Sequence, residues 1–61
     1  PEEDYQRFDS VLFKVNGKTF WGIVDGKTVS NSGKALVVLR LPKWDKPGHA
    51  YTIRALESDI I

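Results

Sequence analysis

Three short turn signals, Asn16-Gly17-Lys18, Asp25-Gly26-Lys27 and Ser32-Gly33-Lys34, fall within nineteen residues, and apolar alternation runs between them. Asn-Gly and Asp-Gly are the strongest short-range hairpin signals, because a two-residue type I′ turn needs positive φ at both central positions. The pattern predicts a tight antiparallel meander with lysines at its tips. With Asn16-Gly17 as a two-residue loop, Val15 stands opposite Lys18, Phe13 opposite Phe20 and Val11 opposite Gly22. Residues two apart share a face, so Val11, Phe13, Val15, Phe20, Val24 and Val29 form the expected core face. The other face carries Leu12, Lys14, Thr19, Trp21 and Ile23, with Leu12 across from Trp21. That face is half apolar, which a free-standing sheet would not leave in water.

Gly22 lies inside the second strand, where a glycine often marks a bulge or a sharp bend that lets one strand serve two sheets. Residues 27–33 are polar and turn-rich, with Val29 suggesting a brief strand. Residues 34–41 are apolar on both faces in their middle, as in a central strand covered on each side. Pro42 closes that strand because proline cannot donate to a ladder. The connection at residues 42–49 is the longest, and its Pro47-Gly48 fits the central positions of a type II turn. Residues 50–55 return as a strand with Tyr51 and Ile53 on one side and Thr52 and Arg54 on the other. Residues 56–59 fit one 3₁₀ turn before a strand stub at Ile60-Ile61. No segment keeps helical periodicity, so the expected class is all-β.

Sixty-one residues make one small domain near the lower limit for a single core. With no cysteine, neither disulfides nor thiolate metal ligation can staple it. No apolar run approaches the ~20 residues of a membrane span, and no signal-peptide pattern opens the chain, so the expectation is a soluble cytoplasmic protein. Methionine is absent and the chain begins at Pro1, consistent either with a trimmed initiator or with a piece of something longer. Residues 1–8 read as an acidic arm bearing Tyr5 and Phe8, its first four residues expected to be mobile, and residues 9–61 as the folded domain. Charge is distributed unevenly: residues 11–54 hold eight cations against two anions, a net +6, balanced by acidic residues at both ends. Such a body attracts polyanions.

From Asp9-Ser10-Val11-x-Phe13 through the turn at Gly17, Gly22-x-Val24 and the terminal Leu56-Glu57-Ser58-Asp59-Ile60, the chain resembles SH3-like small barrels of the Tudor and KOW kind. The resemblance covers residues 9–61. It implies a barrel of about five short antiparallel strands with a 3₁₀ turn before the last, and a non-catalytic binding module. The strict KOW glycine pattern and a Tudor aromatic cage are absent from the string, so the resemblance transfers no functional residue.

The chemistry points the same way. A phosphate loop needs a glycine five residues before the Gly-Lys glycine, and those positions hold Leu12, Trp21 and Thr28. His49 is the only histidine, with no carboxylate cluster spaced to complete a metal site. No enzyme activity, metal or cofactor is expected. Two binding readings follow. In the first, nucleic acid stacks on aromatic faces beside cations, at Trp44 with Lys43, Lys46 and His49 on the long loop, Tyr51 and Arg54 on the strand leaving it, and Trp21 with Lys14 on the first hairpin. In the second, a target protein, a second copy of the chain or the folded-back arm covers the apolar Leu12, Trp21 and Ile23 face, and the tip lysines Lys18, Lys27 and Lys34 suit steering toward an acidic protein partner. Each tryptophan also has a purely structural use, as core or as a cap on an open end of the barrel.

Overall fold

The computed structural model describes residues 6–61, and residues 1–5, with most of the acidic arm, lie outside the described part. Four antiparallel strands form one sheet in the order β1-β2-β3-β4: β1 Ser10–Val15, β2 Lys18–Val29, β3 Ala35–Arg40 and β4 Thr52–Leu56. The first hairpin has the expected register, Val15↔Lys18 through Val11↔Gly22. Asn16 (φ 51°) and Gly17 (φ 81°) supply the two positive φ angles that a type I′ turn demands.

The second turn signal is overturned. Asp25-Gly26 does not reverse the chain; β2 runs through it, and the ladder to β3 skips from Val24↔Leu39 to Gly26↔Val38. Asp25 is the extra residue of a β-bulge, which shifts the side-chain alternation by one. The shift brings Val29 to the same face as Val24, as expected, but at the far end of the hairpin opposite Ala35, where it is 66% exposed. Val15 at the tip of β1 is exposed as well. Neither belongs to the core. The reversal comes instead at residues 31–33, closed by Ser30 N–H to Lys34 O at 2.9 Å.

The core is Phe13, Val24, Val37, Leu39, Leu41 and Ala55, with Val11, Phe20, Ile53 and Ile60 packed around it. Phe13, Leu39, Val24 and Val37 are the largest side chains fully out of water. Burying each contributes roughly 1.5–3 kcal/mol. Gly22 sets the shape. Before it β2 pairs only with β1, and from Ile23 onward it also pairs with β3. A Cβ at Gly22 would come within 3.0 Å of Leu41 Cδ2 and 3.2 Å of Arg40 O. The missing side chain is what lets the end of β3 close onto β2.

At the C-terminus a 3₁₀ turn, Glu57–Asp59, redirects the chain toward β1. There Ile60 forms a single bridge to Phe13, and Ile61 N–H donates to Leu12 O at 2.9 Å. The expected fifth strand is thus one bridge, and the sheet of four strands is open, with no ladder between β1 and β4. At the other end of β1, Phe8 N–H donates to Val24 O (2.7 Å) and Val24 N–H to Asp9 O (2.8 Å). No helix among the described residues is long and apolar enough to cross a membrane.

Gly22→Val should destabilise the domain by about 1–3 kcal/mol, since Leu41 is buried and Arg40 O is main chain. Gly26→Val in the bulge, where a Cβ meets nothing within 4 Å, should change stability by less than about 0.5 kcal/mol. Urea melts of the two variants test the pair.

Candidate nucleic-acid interface

Four aromatic rings run outward from the core. Phe13 and Phe20 lie 5.9 Å apart between ring centroids, Phe20 and Trp44 5.8 Å, and Trp44 and Tyr51 5.7 Å in an edge-to-face pair. All three spacings fall in the range where aromatic pairs attract beyond their area burial. The inner end of the series is sealed, while Trp44 is 44% and Tyr51 43% exposed. Trp44 is therefore both a lid on Phe20 and a surface group, and its structural and functional readings coincide.

The chain places Trp44 there by local means. Pro42 stops β3 and starts a 3₁₀ turn, Pro42–Trp44, in which Trp44 N–H donates to Leu41 O at 2.9 Å. Asp45 then ties the loop down from two sides. Its Oδ2 accepts from Arg40 Nε at 3.0 Å and also from Arg40 Nη2, while Oδ1 accepts from Tyr51 N–H at 2.8 Å. Those bonds, from Arg40 first and Tyr51 second, hold the Asp45 carboxyl below its ordinary pKa, and the same pairing raises that of Arg40. Beyond Asp45, Lys46 and His49 pair with each other across Pro47-Gly48, with bonds of 2.9 and 2.8 Å. Gly48, at φ 73°, takes the positive angle of a type II turn.

Three shallow depressions adjoin through shared lining residues. Lys14, Val15, Ile53, Arg54 and Asp59 line the first. Val15 and Ile53 continue into the second, together with Phe20, Trp44 and Tyr51. Phe20 and Trp44 continue into the third, with Leu12, Thr19, Trp21 and Lys43. The track has cations at both ends and aromatic rings in the middle. Six of the residues singled out from sequence, Lys14, Arg54, Tyr51, Trp44, Trp21 and Lys43, border it. Lys46 and His49 do not line it and stand on the adjoining turn.

Sequence reasoning missed Phe20, Val15 and Ile53 as site residues, since each reads as core. It also kept the Leu12/Trp21 face and the Trp44 loop apart, whereas Trp21 and Trp44 border one depression. The bend at Gly22 was the available signal, because it carries the end of β3 and its loop toward residues 19–21. Lys14, Lys18, Lys34, Lys43, Lys46 and Arg54 make no ion pair with the described residues, whereas Arg7 pairs with Asp25, Lys27 with Glu57 and Arg40 with Asp45. Among the described residues no group of three His, Asp or Glu side chains could hold a metal ion.

Compared with family models, curated proteins and solved structures, the chain matches none.

A carboxyl whose pKa is lowered on folding stabilises the fold at and above its unfolded value and loses that contribution as pH falls through the folded one. The Trp44 loop should therefore keep its anchorage from neutral pH down to the ordinary aspartate range and lose it only in stronger acid. Asp45→Asn should show at neutral pH the Trp44 indole shift and the faster amide exchange at Tyr51 that the native protein shows only in acid. Proton NMR across pH 2–7 reads both (a sampling range of about five units chosen to bracket the transition).

Proposed function

We propose that this protein is a non-catalytic nucleic-acid-binding module of the SH3-like small-barrel kind, its sheet open apart from the single Ile60 bridge to Phe13. The observation that carries the reading is the continuity of the track, with Trp44 and Tyr51 at its centre, Lys43 beside Trp21 at one end, and Lys14 with Arg54 at the other. Aromatic rings offer faces to bases, and cations on either side follow the phosphates between them. Asp45 lies next to the track, but its charge is answered by Arg40. The cations that make no ion pair among the described residues are those that a polyanion would meet.

A second reading draws on one specific observation. Leu12 and Trp21, cross-strand partners, are 49% and 47% exposed, an apolar pair that a protein partner or a second copy would cover. Such docking depends little on salt. Phosphate contacts, in contrast, release counterions and weaken steeply as salt rises.

Amide NMR spectra recorded while a mixed-sequence oligonucleotide is added, first at low and then at moderate salt, separate the two. Salt-sensitive shifts at Lys43, Trp44, Tyr51, Arg54 and Lys14 are the expected result. An absence of shifts at low salt would overturn the nucleic-acid reading. Lys43→Ala should weaken binding and lower the slope of log affinity against log salt by about one, the signature of a single lost phosphate contact.

A further inference from the structure

The first half of β2 has one edge on β1 and, among the described residues, no partner on the other. In an antiparallel ladder, alternate residues direct both N–H and C=O to the same neighbour. Val24 exchanges its bonds with Phe8 and Asp9 on the β1 side, which assigns the even residues of β2 up to Val24 to that side. Leu12 O turns away from β2 to accept from Ile61 N–H, so Leu12↔Trp21 is a non-hydrogen-bonded pair. Thr19 and Trp21 therefore aim their N–H and C=O groups outward. The ladder to β3 begins only at Ile23, and neither residue makes another main-chain or side-chain hydrogen bond with the described chain. Two donors and two acceptors stand open beside the depression of about 190 Å³ bounded by Trp21, Trp44 and Lys43.

Acceptors discriminate among ligands. A phosphate has no use for a carbonyl oxygen, whereas the edge of an unpaired base carries N–H donors as well as carbonyl acceptors. Each of the two residues presents one donor and one acceptor side by side, the complement of the adjoining N–H and C=O of a pyrimidine edge. Duplexes keep those edges paired and their base faces stacked, so they offer this site mainly phosphate. Trp21 and Trp44 both line the opening and supply apolar ring surface to it.

Resting on the nucleic-acid reading above, we infer that the ligand is single-stranded, and that one unpaired base enters between Trp21 and Trp44 and hydrogen-bonds to the open main-chain edge at Thr19 and Trp21. The neighbouring phosphates then fall near Lys43 and, along the track, near Lys14 and Arg54. Sequence preference is modest, because main-chain groups and ring faces read base shape rather than a full code.

Tryptophan fluorescence quenching, followed at low and at moderate salt, tests this with four probes of equal length: oligo-dT, the same oligomer with N3-methylated thymines, an abasic oligomer, and a blunt duplex. The expected order is oligo-dT tightest, by about tenfold or more over the abasic strand, as loss of one stacked base implies. The duplex should be weaker than oligo-dT, and N3 methylation should cost several-fold by removing the donor to the main-chain carbonyl. Thr19→Pro, which deletes one outward N–H and leaves the ladder to β1 intact, should reduce binding of oligo-dT by a larger factor than binding of the abasic strand. Equal binding of duplex, abasic and intact strands would overturn the inference and leave a purely phosphate-driven module. Equal binding of methylated and unmethylated strands would overturn the main-chain edge contact. Failure of all four probes to bind would overturn the nucleic-acid reading itself. A doubled mass by light scattering that Thr19→Pro abolishes would instead assign the open edge to a second copy.

Discussion

The close contact of Gly22 with Leu41 and Arg40 is the constraint on which the remaining architecture depends. A side chain at residue 22 would crowd the end of β3, since a Cβ there would lie only 3.0 Å from Leu41 Cδ2 and 3.2 Å from Arg40 O. With the contact in place, β2 changes partners within one strand, from β1 before the bend to β3 after it, the two ladders meeting at Ile23. Two consequences follow. The core gains Leu41 as a buried residue, and the chain leaving β3 is delivered next to the outer edge of the first half of β2. The candidate site is made of what that delivery brings together.

Stability and surface chemistry are linked through the aromatic series. Phe13 is fully buried, Phe20 half-buried, and Trp44 and Tyr51 nearly half exposed, with each ring in contact with the next. A domain of this size has little core to spare, so its exposed aromatic groups double as the outer wall of that core. Asp45 compensates for the short 3₁₀ turn by fixing the loop to the end of β3 through Arg40 and to the start of the returning segment through Tyr51. Rings held in this way lose little freedom on meeting a ligand, which favours binding.

Much of the fold was legible in the residues, and the failures have definite causes. The first hairpin, its register and its turn could be read because Asn-Gly fixes backbone angles locally, and the Pro42 stop and the 3₁₀ turn before Ile60 are equally local. Asp25-Gly26 misled because the same dipeptide serves a turn or a bulge. Which one forms depends on whether a strand waits on the far side, here β3 paired with residues on both sides of the bulge. Val29 misled because alternation gives the face of a side chain but not whether the core extends that far. At the site, the loop aromatics and cations were visible as types, while Phe20, Val15 and Ile53 were hidden by their resemblance to ordinary core residues.

The sequence by itself determined the all-β class, the first hairpin and its register, the apolar Leu12 and Trp21 pair and the polar, tryptophan-bearing loop, since each follows from alternation, proline, glycine and the residues next to them. Only the tertiary structure decided that Trp21 and Trp44 border one depression, that Lys14 and Arg54 lie on the same track, and that the edge at Thr19 and Trp21 stays open. Those relations span residues far apart in the chain. They are set by where β2 bends and by which of its main-chain groups find a partner, and local pattern carries no record of either.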